Sequence, residues 1–169
     1  MVYWGRMVRN LIYALKTKTW EPLERTRCKL WLNIRPFPRA PKISVIMPVF
    51  NIEPELLEKA VMSVKRQVYA NWELCVADDG STDPRVRAAL ERMGENDPRI
   101  RVIYVEQNQG ISGASNAALG LASGEFLAFL DHDDEIHPLA LQQVARCLGK
   151  HPQTDLIFSD EDKLTMGGK

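Results

Sequence analysis

From residue 43 onward, short apolar runs at 43–47, 73–77, 100–105, 126–130 and 156–159 alternate with segments of helical period. Consecutive βα units announce themselves in this way, and they build a largely parallel sheet covered by helices on both faces. Leu56, Leu57, Ala60, Val61, Val64 and Val68 fall at helical spacing behind Pro54, which a first helical turn tolerates, and predict a helix over 54–68. Similar reasoning predicts helices over 84–93, 112–121 and 138–148, with Gly94 and Gly149 placed to end two of them. A chain of 169 residues is one domain's worth, long enough to bury a sizeable core.

The charge is zero overall but unevenly divided. Residues 1–42 hold ten Lys and Arg against two acids, and residues 43–169 hold twelve against twenty, so the halves are +8 and −8. That pattern describes a basic arm on an acidic body, able to meet a membrane surface, a polyanion or the body itself. In the arm, Trp4, Leu11, Ile12, Leu15, Leu23, Leu30 and Trp31 recur with helical periodicity among Arg and Lys, which predicts a helical arm over residues 1–32. It would pack on the domain or on a partner chain; the alternative is an interfacial helix in peripheral contact with a membrane. Three prolines within 35–41 form a stiff linker, so the chain divides into an arm and linker over 1–41 and a domain over 42–169.

Cys28, Cys75 and Cys147 are scattered, odd in number and without metal-ligand spacing, which fits reduced thiols in the cytoplasm. No run approaches the roughly 20 apolar residues of a membrane span, and the opening lacks a signal peptide's apolar core. The expected location is cytoplasmic, with any membrane contact at its inner face. The sequence ends soon after a strand and an acidic segment, with no covering helix, so the domain is expected to continue in a longer protein.

Parallel sheets place ligands at the carboxyl ends of their strands. Here 48–51 follows the first strand, Asp78, Asp79, Gly80, Ser81, Thr82 and Asp83 follow the second, and Asp131, His132, Asp133 and Asp134 follow the fourth. Asp, Gly, Ser and Thr favour turns and caps, and Asp83 is well placed to cap a helix beginning at Pro84. The apolar run over 126–130 ending in three carboxylates is harder to account for as structure. Like charges so close raise one another's pKa unless a cation or hydrogen-bond donors compensate. Mg²⁺ or Mn²⁺ suits such a place, because hard ions prefer carboxylate oxygens and Mg²⁺ completes its shell with waters and substrate phosphates. Residues 106–130 contain no Lys or Arg to receive a diphosphate, which favours a bound metal as the source of positive charge. The small residues of 108–125 would let a ligand lie against the backbone; equally, Gly110, Gly113, Ala114 and Ala117 could serve close helix packing.

SVIMPVFN at 44–51, DDGSTD at 78–83, NxGxSxxxN at 108–116 and GEFLAFLDHDD at 124–134 together resemble the nucleotide-sugar half of a family 2 glycosyltransferase of the Rossmann-like GT-A fold. The resemblance spans about 42–163 and implies a metal-dependent transfer of sugar from a nucleoside diphosphate sugar to an acceptor hydroxyl. The setting implied is cell-surface polysaccharide or O-antigen-type synthesis, with a glycan or lipid-linked acceptor and no nucleic acid. By position, Pro48, Val49 and Phe50 resemble the loop that contacts the nucleoside, and Asp79 the carboxylate that hydrogen-bonds the base. Asn51, Asn108, Gly110 and Asn116 join the expected nucleotide-sugar contacts. Asp131 and Asp133 match the outer positions of the DxD motif and are the expected metal residues, Asp131 also lying near the ribose. His132, in the variable middle place, is either a donor contact or a spacer facing solvent. Asp134 resembles an extension of the motif.

Two features depart from the family pattern. Ser115 stands where many relatives carry Arg. The catalytic base of inverting members usually lies downstream of residue 169, and Asp160, Glu161 and Asp162 are assigned to the acceptor side or to structure. Two rivals stand beside this reading: a non-catalytic nucleotide-sugar-binding fragment, and a haloacid-dehalogenase-like phosphatase, which also places a DxD after an apolar strand. The second is poorly matched at Glu135. A dinucleotide-binding dehydrogenase is disfavoured, because MPVFNIEP replaces the glycine-rich turn after the first strand.

Overall fold

The computed structural model describes residues 40–159 in full and the backbone of residues 11–13. Among these residues the strands are β1 (Leu11–Tyr13), β2 (Ile43–Val49), β3 (Trp72–Asp78), β4 (Ile100–Tyr104), β5 (Phe126–Phe129) and β6 (Leu156–Ile157). They form one sheet in the order β4-β3-β2-β5-β1-β6, and every pairing is parallel. The helices are α1 (Pro54–Lys65), α2 (Pro84–Glu95), α3 (Gly110–Leu119) and α4 (Ala140–Lys150). The chain steps outward from β2 through β3 to β4, then returns to the other side of β2 to place β5. The order therefore reverses at β2, and the crevice beyond the carboxyl ends of β2 and β5 is a topological switch point, where open α/β sheets bind ligands.

The sheet is apolar on both sides because alternate residues of a strand face opposite ways. Ile43, Val45, Met47 and Val49 of β2 join Leu57, Val61 and Val64 of α1, Val86 and Leu90 of α2, and Leu141 and Leu148 of α4 in the larger core. Ile46, Cys75 and Leu127 face the other way and are covered by Ala114 and Ala118 of α3, so the alanines of this helix do serve close packing. Each fully buried Val, Leu or Ile contributes about 1.5–3 kcal/mol relative to its exposed state.

Every strand and helix expected after residue 43 is present, with shifted ends. The helix expected to reach Val68 stops at Lys65. The Gln67 side chain takes the Leu141 amide and donates to the Ser63 and His137 carbonyls, and the Val68 amide donates to Pro138, so the chain turns toward α4. β2 runs two residues beyond its expected end, through Pro48, a residue central strands usually exclude. Its pairing to β5 ends at Ile46, and the Leu130 amide takes the Ile46 carbonyl, so little ladder is lost at the proline. The helical expectation for the arm is corrected at one point: Leu11–Tyr13 is a strand between β5 and β6. Leu, Ile and Tyr suit a strand position, and an available sheet edge outweighs local helical periodicity. The rest of the arm, most of the linker and Asp160, Glu161 and Asp162 lie outside the described residues.

At the amino rim the strands are fastened by a buried charge. Glu73 is 3% exposed and accepts from Ser44 Oγ at 2.6 Å, Ser123 N at 2.5 Å and Gly124 N at 3.1 Å, while Lys42 Nζ lies 2.5 Å and an Arg101 guanidinium nitrogen 2.8 Å away. Arg101 also donates to the Leu121 carbonyl. Burial alone would push this carboxyl up, but the hydrogen bonds from Lys42, Ser44 and Ser123 outweigh it and hold the pKa down at about 2. Gly124 lies inside this knot: an added Cβ would sit 2.6 Å from Ser44 Oγ and 2.8 Å from the Lys42 carbonyl oxygen. Gly124→Ala is accordingly expected to destabilise by about 1–3 kcal/mol, the usual range for forced overpacking. Its urea midpoint should fall with an unchanged slope; an unaltered midpoint would show that the knot yields without cost.

Candidate functional site

All the parallel strands point their carboxyl ends the same way, so the loops after β2, β3, β4 and β5 meet at one rim, and hydrogen bonds link them in turn. The Asp79 amide donates to the Val49 carbonyl at 2.8 Å, which joins the β2 and β3 ends. The Asn51 amide donates to Ser81 Oγ at 3.0 Å, and Asn51 Oδ1 accepts from the Thr82 amide at 2.9 Å and from its hydroxyl at 3.2 Å. The Ser81 amide donates to Asp78 Oδ1 at 3.1 Å.

The β4 loop is fixed to the same group. Asp79 is 2% exposed and both its carboxylate oxygens accept from the Gln109 amide, at 2.9 and 3.0 Å. Gly80 has φ +75°, and a Cβ there would sit 3.3 Å from the Asn108 nitrogen, so the turn needs glycine for both its conformation and its approach. Asn108 Oδ1 accepts from the Gly110 amide at 3.0 Å, at the start of α3. On the other side, His132 is half-buried rather than a solvent-facing spacer, and its Nδ1 lies 3.0 Å from the Pro48 carbonyl. A carbonyl can only accept, so Nδ1 carries the proton in this contact.

Of the residues the sequence singles out, Phe50 and Asn51 are exposed at the rim, whereas the Pro48 and Val49 side chains are buried and offer the rim only backbone. Asn116 is exposed on α3, six residues past Gly110 and so about 9 Å along the helix. Asp83 does cap α2, accepting from the Arg85 amide at 2.9 Å, and the Arg85 guanidinium holds its carboxyl below the ordinary range. Thr82 donates to Asn51 through both its amide and its hydroxyl.

Asp131 and Asp133 are exposed just past β5, in a turn where the Asp134 amide donates to the Asp131 carbonyl at 3.1 Å. Among the described residues no Lys or Arg is ion-paired with Asp133. Nor do three or more His, Cys, Asp or Glu side chains converge there into a metal cage. Two exposed carboxylates nevertheless fit Mg²⁺ or Mn²⁺, which commonly take one or two protein carboxylates and leave the remaining positions to water and phosphate. The residues that sequence reasoning passes over are Gln109, whose contribution is a backbone amide, and Glu73, whose charge on an otherwise apolar strand resembles a solvated position.

A single parallel sheet with polar loops gathered at its switch point defines an open-sheet α/β class of protein. The chain belongs to the glycosyl transferase family 2, whose model matches residues 44–159. It is 35% identical over 130 residues to the O-antigen biosynthesis protein RfbC of Myxococcus xanthus, covering 77% of this chain and 10% of that protein. It is 46% identical over 92 residues to the Escherichia coli UDP-Glc:alpha-D-GlcNAc-diphosphoundecaprenol beta-1,3-glucosyltransferase WfgD, covering 54% of this chain and 35% of that one. Among solved structures it resembles the mannosyltransferase PcManGT of Pyrobaculum calidifontis in complex with GDP-Man and Mn²⁺. There the TM-score is 0.54 and the identity 29%, over 75% of this chain and 38% of that one. The fold is therefore of the GT-A type, and the phosphatase reading loses its support. The chain spans well under two thirds of the length of these relatives. Among the described residues no helix is long and apolar enough to cross a membrane.

Proposed function

We propose that this domain binds the donor of a metal-dependent glycosyltransferase, one that passes a sugar from a nucleoside diphosphate sugar to an acceptor hydroxyl in cell-surface polysaccharide or O-antigen-type synthesis. The observation that carries the reading is the joining of four loops at the switch point, with a buried carboxylate at one side and a pair of exposed ones at the other.

Asp79, fixed by the Gln109 amide, presents a carboxylate that can accept from an N–H on the edge of a base. Phe50, 41% exposed on the loop after β2, offers an aromatic face. Asp131 and Asp133 would hold Mn²⁺ or Mg²⁺, which supplies neutralisation of the charge that develops on the departing diphosphate. His132, tied to Pro48, sets where that turn stands relative to β2. A carboxylate base would take the acceptor's proton, with inversion at the sugar carbon. Two relatives support the class of donor and of acceptor: the Escherichia coli protein is a glucosyltransferase for UDP-Glc and a lipid-diphosphate-linked GlcNAc, and the Pyrobaculum calidifontis protein is complexed with GDP-Man and Mn²⁺. A lipid-linked acceptor also suits a peripheral position at the inner face of the membrane.

The test is a thermal-shift panel of uridine, guanosine, adenosine and cytidine diphosphates with and without Mn²⁺. A ligand that binds only the folded state raises its stability by mass action, about 2.7 kcal/mol at a hundred times its Kd. One nucleotide should raise the melting temperature, and only with the metal present. If none does, the donor-site reading fails.

A further inference from the structure

We infer that Asn51 is a positioning residue, and that the shape of the loop carrying Asp79 depends on its side chain. The inference rests on the reading of the rim as a nucleoside diphosphate site. Among the described residues Asn51 is the one non-glycine with positive φ, at +45°. Asparagine enters that left-handed region more readily than most side chains. The conformation brings both its amide and its side chain to the neighbouring loop, thirty residues on in the chain: the amide donates to Ser81 Oγ and Oδ1 accepts twice from Thr82.

The Asp79 loop is thereby held from two directions. The Gln109 amide fixes the carboxylate itself, and Asn51 fixes Ser81 and Thr82 two and three residues beyond it. Oδ1, with two donors already on it, is an anchor for the protein's own loop. The metal pair lies on a different loop, reached through Pro48 and His132. Loss of the Asn51 side chain should therefore weaken the grip on the nucleoside and spare the grip on the phosphates.

Two substitutions separate conformation from anchoring. Asn51→Gly tolerates φ +45° but lacks the acceptor; Asn51→Asp retains an acceptor oxygen for Thr82. Binding of the selected nucleoside diphosphate and of inorganic pyrophosphate, each with Mn²⁺, is measured by calorimetry on the full chain. Asn51→Gly should fold and lose roughly tenfold in affinity for the nucleotide, the scale of one or two hydrogen bonds, while pyrophosphate binding stays within about twofold. Asn51→Asp should restore the nucleotide affinity. If nucleotide affinity is unchanged in Asn51→Gly, or falls together with pyrophosphate affinity, the positioning role is refuted. If the unaltered protein binds no nucleoside diphosphate, the donor-site reading fails and this inference with it.

Discussion

Asp133→Ala is expected to abolish the Mn²⁺-dependent part of nucleoside diphosphate binding, a loss of at least about 100-fold, since even groups that only support a metal's ligands are worth about 10–100-fold. Asp133 is exposed, so its removal should shift stability by no more than about 0.5 kcal/mol. The protein would melt as before and bind differently. Calorimetry with and without Mn²⁺ decides the matter: a variant that keeps the metal-dependent affinity of the unaltered chain would show that the ion is held elsewhere.

The second large effect is on stability and lies at the opposite rim. Removing the Glu73 side chain by Glu73→Ala leaves the Ser123 and Gly124 amides, the Ser44 hydroxyl and two cations without their shared acceptor. Breaking one side of a buried ion pair typically costs about 3–5 kcal/mol. Urea unfolding at pH 7 should show that loss. The interaction also has a pH signature. The carboxyl has an ordinary value of 4.5 and is held at about 2 in the folded chain, so the unfolded state takes up its proton first as the solution is acidified. The stabilisation, of order 3 kcal/mol, is therefore complete above about pH 4.5 and is lost as pH falls toward 2. Asp83 and Asp97 are also held low, but they are common to the unaltered chain and Glu73→Gln. The difference between those two proteins should shrink across that window. Parallel stability curves would show that Glu73 contributes shape and not charge.

The repeating units were readable because burying a parallel sheet on both faces forces continuous apolar strands between amphipathic helices, a pattern local in sequence. The acidic turn after β5 was readable for the converse reason: a carboxylate cluster ending an apolar run conflicts with the demands of a core. What escaped notice depends on residues far apart in the chain. The strand Leu11–Tyr13 exists beside Leu127, Ala128 and Phe129, and its helical spacing gave no sign of them. Glu73 gains its character from Lys42, Ser44, Arg101 and Ser123, none adjacent in sequence except the pair flanking Ile43. Asn51 could be singled out by family pattern, but its engagement with Ser81 and Thr82 requires the two loops to be placed side by side. The end of α1 departs from the sequence pattern because Val68 continues the apolar spacing, while the tertiary bonds of Gln67 decide where the helix stops.

A sheet clamped at its amino rim and open at its carboxyl rim divides the tolerances of the molecule. On the proposed donor-site reading, replacements around Phe50, Ser81 or Asn108 would alter ligand preference without loosening the clamp, because the two rims are separated by the length of the central strands. The rim that carries the loops can thus vary in sequence while the buried Glu73 clamp at the other end keeps the strands together.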